Sequence, residues 1–198
     1  MPEILLHVAD ATVPLWRKTE SELAAMGLPS PFWAFAWAGG QALARYVLDH
    51  RKEVAGRRVL DLGAGSGLVA IAAAKAGAAP VVASDVDGFA EQAVALNAQA
   101  NGVYVEILRR DPLGDRAPIA PRYDVILAGD LFYERETAER AFAFLRHHAA
   151  AGTQVLIGDP GRSHLPQHRL RRCCEYSIAV ASDLEDADTK HTAVWMLA

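Results

Sequence analysis

The sequence predicts an α/β protein with a doubly wound, Rossmann-like sheet of seven strands, mostly parallel, with one antiparallel strand near the C-terminus. Two observations carry this prediction. From residue 58 onward, short apolar runs alternate with longer segments of helical periodicity, which is typical of parallel strands joined by right-handed crossover helices. The last two apolar runs have no helical segment between them, so we expect them to pair as a hairpin across residues 183–188.

Each element follows from a local pattern, taken in chain order. Helical spacing of apolar residues predicts a first helix at residues 41–50. Apolar runs of strand length predict strands at residues 58–62, 81–84, 103–108, 123–128, 154–157, 176–181 and 192–197. Longer periodic segments predict helices at residues 68–75, 89–101, 134–150 and 165–174. We expect one domain overall, in which residues 1–50 form an N-terminal extension or lid on a core of residues 51–198.

Composition and charge exclude several classes of protein. With 52% hydrophobic and 22% charged residues among 198, the chain is typical of a globular domain large enough to bury a core. A formal net charge of −4 creates no broad positive field for nucleic acid. The apolar stretches are too short to span a membrane. We therefore predict neither a nucleic-acid nor a membrane partner.

The cysteines and histidines bear on location and metal content. Cys173 and Cys174 are adjacent, where disulfide geometry is unfavourable, so a reducing compartment is indicated. The chain does not start with a basic flank and an apolar run, so no signal peptide is predicted. We expect a cytoplasmic monomer. His164 and His168 have the spacing of metal ligands, but no nearby third ligand completes a site, so no metal is predicted.

A glycine-rich turn, residues 61–68 (DLGAGSGL), follows the first predicted strand. A dinucleotide fingerprint needs a glycine at its sixth position, where this chain has Leu68. The carboxylate of Asp61 would repel a pyrophosphate but can accept a hydrogen bond from an ammonium group. The pattern therefore favours a nucleoside that bears an amino acid, held by Asp61, Gly63, Gly65 and Gly67. The alternative is that this segment forms a tight turn that binds no ligand.

Two further acidic residues follow the next two predicted strands. Asp85, with Val86 beside it, comes about 20 residues after the turn, where a carboxylate can bind both hydroxyls of a ribose. Asp111 follows the third strand, where it can accept a hydrogen bond from an adenine amine. The alternatives are a helix cap for Asp85 and a turn role before Pro112 for Asp111.

A second cluster follows the fourth strand. We predict Asp130 and Tyr133 as the catalytic residues that hold the substrate, with Gly129 beside the bound nucleoside and Phe132 against the substrate. The alternatives are that Asp130 caps the helix from Glu134 and that Phe132 belongs to the core.

Aromatic and basic side chains complete the predicted site. Trp33 is assigned to the substrate and Trp37 to the nucleoside, although Phe32, Trp33 and Trp37 can equally form a packed lid. Arg162 is predicted either to touch the substrate or to pin the turn at Asp159.

Several of these segments also carry a resemblance to a known family. They are residues 31–34 (PFWA), 39–43 (GGQAL), 61–67 (DLGAGSG), 129–133 (GDLFY), 157–162 (IGDPGR) and 175–177 (EYS). Together they resemble the electron-transfer-flavoprotein beta-subunit lysine methyltransferases, a seven-strand group that mostly modifies proteins. The turn is generic to methyltransferases, whereas the segments at 129–133 and 158–162 are more specific.

The resemblance implies an S-adenosylmethionine-dependent enzyme that methylates lysines of that beta subunit and releases S-adenosylhomocysteine. Ribosomal proteins are a second plausible substrate. The resemblance places Gly63, Gly65, Asp85 and Asp111 in cofactor motifs and Asp130 in the acceptor motif. The start of the chain shows no transit sequence, so a bacterial relative is expected.

An acceptor lysine must lose its proton before it can attack, because its free pKa is about 10.4. Asp130 would stabilise the ammonium form, so we predict that it captures and orients the lysine and is not a strong base.

Other functions stay open at this point. A small-molecule amine methyltransferase would also hold its substrate with acidic and aromatic residues, and a non-catalytic binding module could keep the same fold. A nucleic-acid methyltransferase is disfavoured because the Asn/Asp-Pro-Pro-aromatic motif is replaced by residues 129–132 (GDLF).

Overall fold

The computed structural model describes residues 2–9, 20–25, 27, 30–109, 111–114, 123–180 and 188–197. Part of the predicted N-terminal extension, and most of the predicted hairpin turn at residues 183–188, lie outside these ranges. Within the ranges, no helix has the length and apolar character needed to cross a membrane.

A seven-stranded sheet forms the centre of the molecule and confirms the predicted fold class. The strands are β1 Val59–Leu62, β2 Val81–Ser84, β3 Glu106–Leu108, β4 Val125–Gly129, β5 Gln154–Asp159, β6 Leu170–Ala179 and β7 Thr189–Leu197. Their order is β3-β2-β1-β4-β5-β7-β6, and β7 runs antiparallel to both β5 and β6. The order reverses between β1 and β4, so the carboxyl ends of these strands frame the crevice in which open α/β sheets bind ligands.

Helices cover both faces of the sheet. They are α1 Glu20–Ala25, α2 Ala38–Asp49, α3 Leu68–Lys75, α4 Gly88–Ala100 and α5 Arg135–Ala150. Successive side chains of a strand point to opposite faces, and β4 shows the result. Val125 and Leu127 join the core formed with α2 and α3, whereas Ile126 and Ala128 join the core formed with α5. The near-continuous apolar runs predicted as strands are therefore buried on both sides.

The predicted helix at residues 165–174 is wrong. A 3₁₀ turn spans Gln167–Arg169, and β6 begins at Leu170, before the predicted start at residue 176. The reason is long-range pairing: Leu170 lies opposite Leu197 in the ladder that β6 forms with β7. A ladder of backbone hydrogen bonds to a distant strand decides the conformation, and local periodicity does not reveal it.

The N-terminus of α2 lies directly on the carboxyl ends of β4 and β5. A Cβ atom on Gly39 would overlap the carbonyl oxygen of Gly158, and one on Gly158 would overlap the carbonyl oxygen of Gly39. A Cβ on Gly129 would lie 3.0 Å from the Cα of Gly40. Glycine at these positions allows two backbones to touch, which brings the first turn of α2 to the edge of the sheet where ligands bind.

Candidate functional site

A cavity of about 510 Å³ opens at this edge of the sheet, a volume within the range of small-molecule sites. Most of the predicted site residues line it: Trp33, Trp37, Gly63, Gly65, Asp85, Val86, Asp111, Gly129, Asp130, Tyr133 and Arg162. Asp61, Gly67 and Phe132 lie outside the lining. The sheet thus brings together residues from six separate segments of the chain.

The glycine-rich turn is held in left-handed backbone conformations. Gly63 has a φ of 69° and Gly65 a φ of 52°, a region that side-chain-bearing residues rarely adopt. Gly63 also packs closely against Leu131, because a Cβ atom on Gly63 would overlap the Leu131 side chain. Gly67 precedes α3 and faces Val94 of α4, so it shapes the turn from behind without reaching the cavity.

Asp85 fastens this turn to the end of β2. Its Oδ2 accepts a hydrogen bond from the amide of Gly65 at 2.8 Å, and its Oδ1 accepts one from the amide of Asp87 at 3.0 Å. Burial raises the pKa of Asp85, and these backbone donors oppose the increase. The helix cap is Asp87, whose Oδ1 accepts a hydrogen bond from Phe89 N at 2.8 Å. The cap proposed as an alternative role for Asp85 therefore falls to Asp87.

Asp61 lies beneath the turn. Its side chain is buried, and Oδ2 accepts a hydrogen bond from the amide of Ala70 in the first turn of α3 at 2.8 Å. Burial raises the pKa of Asp61 to about 7, and the nearby carboxylate of Asp85 adds to the increase. A group with this pKa changes its charge near neutral pH, directly below the ligand-facing glycines.

Asn97 is a residue that the sequence did not reveal. It is fully buried on α4, and its Nδ2 donates a hydrogen bond to the carbonyl oxygen of Ser66 at 2.8 Å. Its Oδ1 accepts a hydrogen bond from the amide of His7 at 2.6 Å. One amide side chain therefore ties the N-terminal segment to the glycine-rich turn. Its only sequence signal was a polar residue at a core-facing helical position.

Asp111 lies on the far wall of the cavity. Its Oδ1 accepts a hydrogen bond from the amide of Leu113 at 2.8 Å, the turn role offered as an alternative. Its Oδ2 accepts a hydrogen bond from Nη2 of Arg140 at 2.7 Å. Leu113 and Pro112 line the cavity beside it. Adenine binding at this wall stays a prediction.

Asp130 follows β4 in an unusual conformation. It has a φ of 55°, rare for a residue with a side chain, and its amide donates a hydrogen bond to Gly158 O at 3.0 Å. Oδ2 accepts a hydrogen bond from the amide of Gly40 at 3.0 Å. Oδ1 accepts two from Arg162, at 3.2 Å from Nε and 2.9 Å from Nη2. The side chain thus faces α2 and Arg162, away from the first turn of α5.

The turn that carries Arg162 is organised by Asp159. Its Oδ1 accepts hydrogen bonds from the amides of Gly161 and Arg162, both at 2.7 Å. Its Oδ2 is buried and finds no hydrogen-bond partner in the part of the chain that the structure describes. Burial raises the pKa of Asp159 to about 6. Arg162 thus belongs to the Asp159 turn and also lines the cavity, and its contact with a substrate stays a prediction.

Aromatic side chains frame the mouth of the cavity. The ring centroids of Phe32 and Tyr133 lie 5.4 Å apart. Trp33 stacks on Phe89, with 5.8 Å between the ring centroids. Nε1 of Trp37 donates a hydrogen bond to Phe32 O at 2.8 Å. Burial raises the pKa of Tyr133, so its phenol keeps its proton at neutral pH.

Phe132 has a different environment from its neighbours. It is fully buried among residues of the core beside α5, such as Ala138 and Leu145. The core position named as its alternative role is therefore the one that the structure shows.

Comparisons with known proteins place the chain in a family. It is 41% identical over 171 residues to the electron transfer flavoprotein beta subunit lysine methyltransferase of Rattus norvegicus. The aligned region covers 83% of this chain and 66% of that protein. It is also 40% identical over 200 residues to the protein of the same name from Danio rerio. That alignment covers 98% of this chain and 75% of the relative. The chain belongs to this lysine methyltransferase family. The resemblance stated from the sequence is thereby confirmed.

Two wider comparisons concern part of the chain and its fold. A family model described as "Ribosomal protein L11 methyltransferase (PrmA)" matches residues 41–133. The crystal structure of magnesium protoporphyrin IX methyltransferase from Synechocystis PCC 6803 with bound SAM has a TM-score of 0.61 at 14% identity. It covers 96% of this chain and 100% of that one, which shows a shared fold. The chain spans 66% of the length of its rat relative, less than two thirds.

The side chains that line the cavity carry more negative than positive charge. Among the described lining residues, the carboxylates are Asp85, Asp87, Asp111 and Asp130, against one guanidinium, Arg162. Such a cavity favours positively charged ligands, and low surrounding polarity strengthens each interaction. The described residues contain no group of three or more His, Cys, Asp or Glu placed to hold a metal ion.

Proposed function

We propose that the chain transfers a methyl group from S-adenosylmethionine to lysine side chains of the electron transfer flavoprotein beta subunit. Family membership supports the reaction class and the substrate. The observation that carries the proposal is that one cavity is lined both by the turn with Asp85 and by Asp130 with Tyr133. A methyl donor and its acceptor must meet in line, and a shared cavity allows that.

The cofactor half of the cavity fits the methyl donor. Gly63 and Gly65 let the backbone approach the ligand, and Asp85 suits the ribose hydroxyls. Val86, Asp111, Gly129 and Trp37 complete this half, while Asp61 and Gly67 support the turn from beneath. When bound, S-adenosylmethionine supplies a methyl carbon that the lone pair of the acceptor nitrogen attacks as the carbon–sulfur electron pair leaves to sulfur.

The acceptor half of the cavity positions the lysine. Asp130 and Tyr133 offer an oxygen acceptor and a phenol within one lining, and we assign them to orienting the amine. Phe32 and Trp33 give apolar surface for the aliphatic part of the lysine side chain. Apart from this alignment the chain needs to supply little chemistry, because the sulfonium is already activated.

Exposure at the mouth favours a protein substrate over a small amine. Tyr133 is 44% exposed and Phe32 is 42% exposed, although both line the cavity. Sites for small molecules bury most of their ligand, whereas this one opens to solvent on the acceptor side. A ribosomal protein remains the second candidate substrate, favoured by the match over residues 41–133. Action as a cytoplasmic monomer without nucleic acid or membrane stays a prediction.

The test combines binding with transfer. The purified chain is titrated with S-adenosylhomocysteine in a calorimeter, then incubated with labelled S-adenosylmethionine and purified electron transfer flavoprotein. We expect heat on binding and label on lysine of the beta subunit, located by mass spectrometry. Parallel reactions with ribosomal protein L11 and with n-butylamine test the alternatives. Heat without label on the flavoprotein would overturn the substrate, and no heat would overturn the whole proposal.

A further inference from the structure

A permanent positive charge sits against the acceptor-side carboxylate. Arg162 approaches Oδ1 of Asp130 with Nε at 3.2 Å and Nη2 at 2.9 Å, and both side chains line the cavity. The Asp130 side chain is only 9% exposed and that of Arg162 24%. Water therefore screens this pair less than it would a surface ion pair.

The position of Arg162 is built into the fold. Its backbone amide is held by Oδ1 of the buried Asp159 at 2.7 Å, and its guanidinium lies 5.9 Å from the ring centroid of Trp37. Asp159 keeps a buried oxygen without a partner in the described part of the chain, which is costly to maintain. Because the Asp159 turn is costly and places the guanidinium of Arg162 beside the carboxylate of Asp130, a positive charge at this position is expected to have a function.

The requirement follows from the chemistry of the acceptor. A bare carboxylate beside the amine would hold it as an ammonium ion, which has no lone pair to attack with. We propose that Arg162 is a positioning residue that offsets the charge of Asp130, so that the bound lysine reaches its neutral, reactive form. This inference rests on the function proposed above. The ammonium N–H bond then breaks with its electron pair left on nitrogen, and the proton leaves to solvent through the open mouth.

The other charged and titratable groups around the cavity leave this task to Arg162. Those on the lining or directly behind it, taken from the described segments that pack there, are Asp61, Asp85, Asp87, Asp111, Asp130, Tyr133, Glu134, Arg140, Asp159 and Arg162. All but the two arginines are acids, so each of them, when ionised, favours the ammonium form. Of the two guanidinium groups in this described set, that of Arg140 pairs with Asp111 at 2.7 Å, whereas that of Arg162 pairs with the acceptor-side Asp130 at 2.9 Å.

The test is the pH dependence of a single turnover with saturating electron transfer flavoprotein, which reports on the bound complex. Arg162→Gln removes the charge, Arg162→Lys keeps it as a point charge, and Arg172→Gln is the matched control. Arg172 pairs with Glu175 on the surface of β6, outside the cavity lining. Thermal melting and S-adenosylhomocysteine binding establish that each variant is folded and loaded.

We expect Arg162→Gln to raise the apparent pKa of the turnover rate by about one unit or more. Its rate should fall about tenfold or more at pH 7 and recover as the pH rises toward about 10. Arg162→Lys should bring the apparent pKa back toward that of the unmodified chain, and Arg172→Gln should keep the profile of the unmodified chain. An equal loss at every pH, or an unchanged profile, in Arg162→Gln would overturn the proposal. Label on lysine by the unmodified chain tests the proposed function separately.

Discussion

The carboxylate of Asp85 and the backbone amide of Gly65 lie 2.8 Å apart and share a hydrogen bond that joins the end of β2 to the turn after β1. Because β1 and β2 are neighbours in the sheet, a contact across 20 residues of sequence is short in space. The same side chain that is proposed to bind a ribose therefore also sets the conformation of the turn that faces the rest of the ligand.

Replacement of Asp85 by Ala removes both functions at once. We expect S-adenosylhomocysteine to bind about tenfold to a hundredfold more weakly, because a hydrogen bond to a charged group contributes about 1.5–3 kcal/mol. Isothermal titration calorimetry measures the effect. Asp49→Ala is the control, since Asp49 pairs with Arg45 on the surface, away from the cavity. Equal affinities for the two variants would contradict this role.

Asp61 predicts a decline of stability with rising pH. Its folded-state pKa of about 7 lies above the ordinary value of 3.8, so its contribution is fully present below about pH 4 and is lost as the pH rises through about 7. The loss is at most about 4 kcal/mol, because each pKa unit corresponds to about 1.4 kcal/mol.

The variant Asp61→Asn cannot ionise but can still accept the hydrogen bond from Ala70. Urea unfolding between about pH 5 and pH 8 should therefore show a flatter decline for the variant than for the unmodified chain. Identical slopes would show that Asp61 does not titrate in this range.

Gly39→Ala tests the contact between α2 and the sheet. The added Cβ would overlap Gly158 O and lie 2.5 Å from Oδ2 of Asp130, so α2 must move away from the site. We expect a loss of about 1–3 kcal/mol in the free energy of unfolding, together with a lower rate of methyl transfer. Gly88→Ala is the matched control on α4, because its Cβ would meet nothing within 4 Å. Equal stabilities for the two variants would rule out this close approach.

Asn97 and Asn101 form a natural pair for testing the turn. Both lie near the end of α4 and hydrogen-bond to the N-terminal segment, but Asn97 alone of the two also bonds to Ser66 of the turn. Asn97→Ala should destabilise the chain by about 1–3 kcal/mol and weaken S-adenosylhomocysteine binding. Asn101→Ala should destabilise it less and leave binding unchanged, as measured by urea unfolding and calorimetry. Matching losses of affinity would show that the N-terminal segment, and not the turn, transmits the effect.

Local patterns were enough to predict the sheet, its one antiparallel strand and most of the residues around the cavity. Strand and helix periodicities are written in neighbouring residues, and ligands bind where parallel strands end. Asp85, Asp130 and Tyr133 could be named because each follows an apolar run that had to be a strand. The family resemblance rested on the same short segments.

Contacts between distant parts of the chain decided the rest. The start of β6 at Leu170 depends on its ladder with β7, and the pairing of Asp130 with Arg162 depends on β4 and β5 lying side by side. The buried bond from Asn97 to Ser66 likewise joins two segments that only packing brings together. A sequence specifies what each segment can form, but which polar group faces which is settled by the register and packing of elements that meet only in the folded chain.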